Sequence, residues 1–499
     1  MIKTMALETT EKSSSTIQTD PEKHVDASSV SSGADAPLAF DPRLEKTWRK
    51  IDYCLIPVVA MFYFLSFLDR SNIGNARVAG LQKDLKMSNK EYSIALTVTY
   101  VPYIVAEMPS NLVLKAVGPN LLLPTLLTLW GIATTLQGVV KSYKGLLACR
   151  FFLGLFEGGV FPGLVLYLSF WYPRQRLQWR ISAFFSSASI SGAFSGLLAY
   201  GIINMDGVGN RPGWAWIFIL EGLFTVLFGL SSFLFLPSTP DDARFLNAEE
   251  KEYVKSQLRE TGATGLSEAA DKFSWYEVRQ AFLLPQVWML AIVFFFDGAL
   301  VYGLAYFTPS IVQSLGYTAA RAQLFSVPPF ACAFFVMMIG SYISDRYGCR
   351  GFISMFCGCL CIIGFSVYLT AESAQVKYGT LFLNITGAYC AAPALSTWGA
   401  NNAAPHIRRA TAIAIGFIMT NAGGILVTWL LGSLSPPPLY RKATITLLIF
   451  AALMVVVSGM NLYYLWSQNK KKAVIRATTS RSEEKPGLGD RSAWFEYSL

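Results

Sequence analysis

The feature that most constrains this chain is a series of twelve apolar runs, each close to the length of a membrane-spanning helix. A helix needs about 20 mostly apolar residues to cross a bilayer. The runs fall at about 51–68, 93–114, 121–140, 145–170, 181–203, 214–236, 287–308, 323–343, 352–371, 378–400, 410–432 and 443–466. We therefore predict an all-α integral membrane protein whose surface faces the lipid bilayer.

The charge content supports the same prediction. Only 15% of the 499 residues are charged and 53% are hydrophobic, whereas a soluble chain carries about 25% charged residues. The net charge is +9, but the lysines and arginines lie between and beyond the apolar runs instead of forming one basic face. Such cations set the orientation of a membrane protein, and we exclude a nucleic-acid partner.

A polar stretch divides the runs into two groups of six. Its Ser, Pro, Asp and Glu residues predict a solvated linker with a short amphipathic helix. The resulting organisation is a disordered cytoplasmic tail at 1–50, a six-helix half at 51–236, a cytoplasmic linker at 237–286, a second six-helix half at 287–466 and a cytoplasmic tail at 467–499. The N-terminal tail is rich in Ser, Thr, Asp and Glu, and this composition is typical of disorder.

The two halves have matching landmarks. Gly118 and Gly348 each follow the second run of their half, about 230 residues apart. A constant offset of this size indicates duplication with both repeats in one orientation. Lysines and arginines are more numerous on the side of the bilayer that holds both termini, which predicts that this side is cytoplasmic.

Several apolar runs contain a charged residue, which is costly in lipid. One such residue costs roughly 2.5–3.5 kcal/mol at the bilayer centre on insertion scales. The charged positions are Asp69, Arg70, Glu107, Arg150, Glu157, Glu221 and Asp297. For the acidic residues at 69, 107 and 221, a structural role in pairing helices and a functional role are equally weighted alternatives. For Arg70 and Glu157 we favour a functional role, and Asp297 belongs either to a cavity wall or to a tight helix contact.

The fourth run carries the sharpest pattern. Arg150 and Glu157 are seven residues apart, so they share one helix face two turns apart. Gly154, Gly158 and Pro162 recur every fourth residue, and small residues at this spacing let another helix approach closely. A helix face of small residues beside a charged face is typical of a helix that slides or rocks against its neighbours.

No histidine falls in an apolar run, because His24 lies in the N-terminal tail and His406 in a loop. Any proton coupling must then use carboxylates, and Glu157 and Asp297 are the best placed. The eight cysteines lie in apolar runs or in a loop that we place in the cytoplasm. We predict neither a metal site nor a cofactor.

Several strings occur in a fixed order along the membrane part. They are Phe67-Leu-Asp69-Arg70-Ser-Asn72-Ile-Gly74-Asn75-Ala76, Glu107-Met-Pro109-Ser110-Asn111-Leu, the string from Arg150 to Gly163, Leu236-Pro237-x-x-Pro240 and Trp398-Gly-Ala-Asn401-Asn402. This series resembles the major facilitator superfamily. It is more closely similar to the superfamily's anion:cation symporter family, in the fungal branch of allantoate, nicotinate and pantothenate permeases.

The resemblance implies a twelve-helix major facilitator fold and a set of site residues. It implies substrate binding by Arg70, Asn72 and Arg150, proton coupling by Glu157 and Asp297, and gating or structural roles for Asp69, Glu107, Asn111, Glu221, Asp345, Arg346, Arg350 and Asn401. The superfamily's loop motif is intact in the second half, from Gly340 to Arg350. In the first half it is reduced to Gly118-Pro119 and the residues just before it.

The function implied by the resemblance is proton-coupled uptake of a small organic anion by alternating access. The seventh run offers Asp297 and no arginine, which favours a singly charged substrate. We expect a monomer in the plasma membrane, with the vacuolar membrane as the alternative. A proton-driven efflux antiporter and a non-transporting nutrient sensor on the same fold are the competing functions. An enzyme is not expected, since the pattern around His406 does not match a membrane acyltransferase.

Overall fold

The structure, a computed structural model, describes residues 42–173, 180–181, 183–260, 274–435, 440–478, 484 and 488–499. The described residues are almost all helical and belong to one contact unit, Pro42–Leu499. The predicted disordered tail lies, up to residue 41, outside the described residues.

The described part of the first half includes eight α-helices, numbered in chain order. They are α1 (Pro42–Val78), α2 (Leu81–Asp84), α3 (Asn89–Val117), α4 (Pro119–Gln137), α5 (Tyr143–Glu157), α6 (Val160–Ser169), α7 (Ser187–Ile202) and α8 (Gly213–Phe235). Local sequence explains their limits. Ser88 and Glu91 form a capping box at the start of α3, and Gly118, at φ 93°, separates α3 from α4 in a conformation that favours glycine.

The linker and the second half supply the remaining helices. They are α9 (Ala248–Glu260), α10 (Trp275–Leu283), α11 (Pro285–Ser314), α12 (Ala319–Tyr347), α13 (Arg350–Thr370), α14 (Ala374–Asn401), α15 (His406–Trp429) and α16 (Arg441–Thr478). The linker thus holds two amphipathic helices, α9 and α10, where the sequence predicted one.

Ten of the described helices are long and apolar enough to cross a membrane. Two others, α3 and α14, have 29 and 28 residues and stand at the second and tenth predicted positions. They are less apolar because they carry polar side chains such as Thr380 and Asn384, which are buried against other helices. The long helices therefore correspond to the twelve predicted runs.

The helices depart most from the predicted runs at three places. The fourth run is divided at Gly158 and Gly159 into α5 and α6. Helix α1 begins at Pro42, before the predicted start at 51, and α16 continues to Thr478, beyond 466. Both extensions are amphipathic and contact other parts of the protein, so apolar run length underestimates them.

The helices alternate in direction, which places the start of α1 and the end of α16 at one end of the bundle. We call this the terminal end and the opposite one the far end. At the far end the two halves touch directly: Gln323 donates to the backbone oxygen of Asn75 at 3.1 Å, and the hydroxyls of Ser93 and Ser433 are 2.6 Å apart. The halves are therefore closed against each other at the far end.

At the terminal end, the linker helix α9 binds the first half and the linker helix α10 binds the second half. Lys50 of α1 pairs with Glu250 of α9 at 2.8 Å, whereas Arg408 of α15 pairs with Glu277 of α10 at 2.7 Å. Residues 261–273, which join the two helices, lie outside the described part of the chain. The linker thus has one anchored helix on each half.

The last residues of the chain pack onto the terminal end of the second half. Asp490 is fully buried and pairs with Arg408, and the Lys472 ammonium donates to the Phe495 carbonyl at 2.9 Å. The backbone N–H of Arg350 donates to Leu499 at 3.0 Å. Burial raises the pKa of the Asp490 carboxyl, and the positive charges of Arg408 and Lys472 oppose that rise.

Candidate functional site

A buried ion pair lies at the centre of the first half. Arg70 of α1 approaches Glu157 of α5 with Nη2 at 2.8 Å and Nε at 2.9 Å from Oε1. Ser66, one turn before Arg70, donates its hydroxyl to the same Oε1 at 2.5 Å. The sequence singled out both charged residues, and the structure brings them together.

Arg70 also reaches the second half of the protein. Its Nη1 donates to the Tyr302 hydroxyl on α11 at 3.0 Å, and that hydroxyl lies 3.3 Å from Oδ1 of Asn421 on α15. The rings of Phe67 and Tyr103 lie 5.0 and 5.3 Å from the guanidinium carbon, within cation–π range. One guanidinium thus connects carboxylate, aromatic and hydroxyl groups from both halves.

A cavity opens between the halves next to this pair. Its empty volume is about 490 Å³, which includes space that is open to solvent. The wall is mainly aromatic, with Tyr63, Phe185, Phe294, Tyr389 and Phe417 among its residues. The wall also includes Tyr302, whose hydroxyl binds Arg70, and the carboxylate of Asp297.

Asp297 stands alone on the cavity wall. Its side chain is 2% exposed, and Oδ1 has no hydrogen-bond partner among the described residues. The following residue, Gly298, lets α11 approach the backbone of Thr420 on α15, because a Cβ at this position would collide with that backbone. From the sequence, Asp297 could belong either to a cavity wall or to a tight helix contact. The structure shows the cavity wall at Asp297 and the helix contact at Gly298.

A second polar cluster lies deeper in the first half. Asp69 accepts from the Thr134 hydroxyl at 3.0 Å and from the Asn72 amide at 3.3 Å. The same amide donates to Glu221. Asn72 is completely buried, contacts these two carboxylates, and is not among the described residues that line the cavity. The cluster joins α1, α4 and α8, as expected for pairing between helices.

Arg150 is separated from the glutamate with which it shares a helix. It is 3% exposed, and its Nε and Nη2 have no hydrogen-bond partner among the described residues. The Phe218 ring lies 5.9 Å from its guanidinium carbon. Helical spacing placed Arg150 and Glu157 on a common face, but in the folded protein Glu157 forms its ion pair with Arg70.

The other predicted residues are spread along the bundle. Glu107 is half-buried on α3, Arg346 is exposed with Nη1 3.1 Å from the Tyr342 hydroxyl, Arg350 is buried at the start of α13, and Asn401 ends α14. The side chains of Asn111 and Asp345 lie outside what the structure describes. Glu107, Arg346, Arg350 and Asn401 are not among the described residues that line the cavity.

Sequence reasoning missed the uncharged members of the site. Ser66, Tyr302 and Asn421 contact the ion pair or its hydrogen-bond chain, yet each is a common residue in a membrane helix. Tyr302 follows Asp297 by five residues in an otherwise apolar run. This position was the one sequence feature that could have indicated Tyr302 as a site residue. A single hydroxyl in such a run does not indicate its partner.

Comparison with known proteins agrees with this architecture. The family model of the Major Facilitator Superfamily matches residues 59–428. An uncharacterized transporter of Schizosaccharomyces pombe is 36% identical over 453 residues, which cover 90% of this chain and 89% of that protein. The high-affinity nicotinic acid transporter of Saccharomyces cerevisiae is 32% identical and is matched over 92% of this chain and 86% of its own length.

Solved structures show the same fold at low sequence identity. A bacterial homologue of the human lysosomal transporter Spinster, inward-facing and unoccupied, gives a TM-score of 0.65 at 15% identity and covers 85% of this chain and 98% of that one. The inward-open xylose transporter XylE from E. coli gives 0.63 at 13% identity, with 82% and 95% covered. With its long helices in two halves around a polar, buried site, this chain belongs to the major facilitator superfamily and is a membrane transporter, not an enzyme.

Proposed function

We propose that this transporter takes up a small organic anion together with protons, by alternating access. The observation that carries the proposal is the buried Arg70–Glu157 pair, in which Arg70 donates to Tyr302, a residue of the cavity wall in the other half. A charged pair at this depth is costly to bury. Its position between the halves fits a substrate site better than a purely structural brace.

Arg70 is suited to bind a carboxylate. A guanidinium presents a planar fork of donors that matches the two oxygens of a carboxylate. Both Nε and Nη2 point at one oxygen of Glu157, so an incoming carboxylate competes with Glu157 for the same donors. Tyr302 adds a hydroxyl from the second half, which lets the bound anion contact both halves.

The same competition links the substrate to a proton. When Glu157 takes up a proton it loses its charge, and its attraction for Arg70 falls. Arg70 is then free to bind the anion, while release of the proton restores the internal pair and expels the anion. Of the two carboxylates predicted for coupling, Glu157 is the one that contacts the proposed anion-binding arginine.

The relatives favour an organic monocarboxylate. The similar yeast protein is named as a nicotinic acid transporter, and nicotinate is a small monocarboxylate. The lysine and arginine distribution places both termini in the cytoplasm. The family resemblance favours the plasma membrane, with the vacuolar membrane as the alternative. With that orientation, the far end, where the halves are closed against each other, is extracellular.

The test is uptake by cells that express the protein, over a panel of nicotinate, allantoate, pantothenate and biotin. Wild-type cells should concentrate one of these anions, and acidification of the medium should increase the accumulation. Efflux of preloaded compound driven by the proton gradient would indicate an antiporter instead. Proton entry without net uptake of any anion would contradict the proposal.

Glu157→Gln tests the coupling step. The amide resembles a permanently protonated glutamate, so the variant should lose proton-driven accumulation and retain exchange of internal for external substrate. The amount of protein in the membrane is measured for each variant. Accumulation with the wild-type pH dependence would show that Glu157 is structural, and Asp297→Asn would then be tested in the same two assays.

A further inference from the structure

The cavity between the halves has two chemically different regions. One is beside Tyr302, whose hydroxyl contacts the Arg70 guanidinium. The other is at Asp297, which lines the cavity and has no hydrogen bond or ion pair from any described residue to either of its oxygens. The first region offers donors to an anion, whereas the second offers only an acceptor.

Burial of a carboxylate without a partner needs a compensating interaction. An unpaired polar or charged group in an apolar interior costs free energy, and in membrane proteins such groups are typical of substrate or ion pathways. Asp297 is 2% exposed. The lining of the cavity includes no lysine or arginine among the described residues, so the compensating group is not supplied by the wall itself.

The rings around Asp297 narrow the chemistry of that missing partner. Phe294, Tyr389 and Phe417 line the same cavity. The faces of aromatic rings carry negative charge density and attract ammonium and N–H groups. A second carboxylate would be repelled by both the rings and Asp297. A hydrogen-bond donor, charged or neutral, is therefore the group that would best satisfy the Asp297 carboxylate in this region.

We propose that Asp297 binds a nitrogen-bearing end of the substrate, so that the transported compound is a monocarboxylate with an ammonium or N–H group at its opposite end. The inference rests on the proposed function in one respect, namely that the carboxylate binds at Arg70. Asp297 and Tyr302 are five residues apart on α11, about 7.5 Å along the helix axis. This spacing suits a molecule with one ring or a short chain between its two polar groups.

The proposal separates the roles of the two buried carboxylates. Glu157 is held by Arg70 and exchanges its partner when the anion arrives. Asp297 has no internal cation to exchange, so it selects the substrate without having to release a proton in each cycle. The protein then distinguishes amino or amido acids from plain carboxylates and from dicarboxylates.

A matched pair of probes tests this role. 4-(Aminomethyl)benzoate and 4-ethylbenzoate have the same ring and carboxylate and differ in one ammonium group. Equilibrium binding of each is measured on the purified full-length protein in detergent at about pH 6, where the amine is protonated and the acid ionised. The wild type should bind the amine roughly tenfold or more tightly, as expected for a hydrogen bond to a charged group.

Asp297→Asn keeps the size of the side chain and removes its charge. This variant should lose the preference for the amine and keep its affinity for 4-ethylbenzoate. Terephthalate, with a carboxylate in place of the amine, should bind Asp297→Asn better than the wild type. Equal binding of the amine and ethyl probes by the wild type, including no measurable binding of either, or a preference that persists in Asp297→Asn, would overturn the proposal.

Arg70→Ala separates this inference from the proposed function. The variant should weaken both probes equally, because it removes the donors for their shared carboxylate. If Arg70→Ala leaves both affinities unchanged while Asp297→Asn still abolishes the preference for the amine, the proposed anion site fails and the nitrogen site stands. If only the Arg70 effect appears, the anion site stands and the role of Asp297 is refuted.

Discussion

Arg70 forms polar contacts with both halves through a single side chain. It binds Glu157 within the first half and Tyr302 in the second. Arg150 provides a contrast within the same half, since it is also buried but leaves two of its nitrogens without a described hydrogen-bond partner. An anion site requires an arginine that can exchange one acidic partner for another. Arg70 meets this requirement, because an incoming anion can replace Glu157 as its partner.

At the residue scale, Arg70→Lys should raise the apparent substrate constant strongly, and Arg70→Ala should abolish uptake. A lysine keeps the charge but loses the planar fork that holds both carboxylate oxygens. Uptake kinetics are compared at equal surface expression. Arg441→Lys is the matched control, because Arg441 is exposed at the start of α16 and its replacement should leave the substrate constant unchanged. Normal uptake by Arg70→Ala would remove Arg70 from the binding site.

At the scale of elements, close helix contacts depend on glycines. Gly154 and Gly158 let α5 approach the backbone of α3 within one half, and Gly74 of α1 lies against the backbone oxygen of Tyr306 on α11 in the other half. The sequence pattern predicted the first of these contacts. Because the second contact lies near the far end, we expect it to break when the far end opens.

Gly74→Ala should favour opening of the far end, because the added methyl group would collide with the Tyr306 backbone. The expected result is stronger labelling of a cysteine introduced at Ser93, with reduced uptake. Gly340→Ala is the matched control, since nothing lies within 4 Å of a Cβ at that position. Equal labelling of the two alanine variants would show that the contact does not limit opening.

The C-terminal segment is a second element with a testable role. Asp490→Asn should lower the melting temperature of the purified protein, because Arg408 would lose one of its two buried acidic partners. We expect a loss on the order of 2 kcal/mol, less than for a fully unpaired charge because Glu277 remains. Glu496→Gln is the control, since that side chain is mostly exposed and lies 3.9 Å from Arg476. Equal melting temperatures for both variants would contradict a stabilising role of the segment.

At the scale of the whole molecule, the two halves are joined at the far end, and each holds its own linker helix at the terminal end. Alternating access requires the far-end contacts to break as the halves rock. The hydroxyls of Ser93 and Ser433, 2.6 Å apart, lie across this closure. A covalent bond here should hold the protein in the described state.

The double variant Ser93→Cys, Ser433→Cys should lose uptake under mild oxidation and regain it after reduction. The hydroxyl separation is compatible with the close approach of Cβ atoms that a disulfide requires. Each single variant serves as a control for the eight native cysteines and should transport under both conditions. Continued uptake by a double variant shown to be cross-linked would exclude far-end opening from the transport cycle.

The sequence by itself determined the class of the protein and the approximate position of each membrane helix. Runs of apolar residues suffice for this, because the bilayer imposes a length and a polarity on every spanning segment. The same physical cost makes Arg70, Glu157 and Asp297 unusual, since each is a charged residue within an apolar run. Gly154 and Gly158 likewise indicated a close helix contact from spacing alone.

Only the tertiary structure decided which of these residues meet. Spacing placed Arg150 and Glu157 on one face, whereas packing of α1 against α5 pairs Glu157 with Arg70. Asn72 was predicted at the substrate but faces Asp69 and Glu221 instead. Helical periodicity relates positions within one helix, while partners on different helices depend on how the helices rotate and cross. Charge therefore identified the candidates, and packing alone assigned their partners.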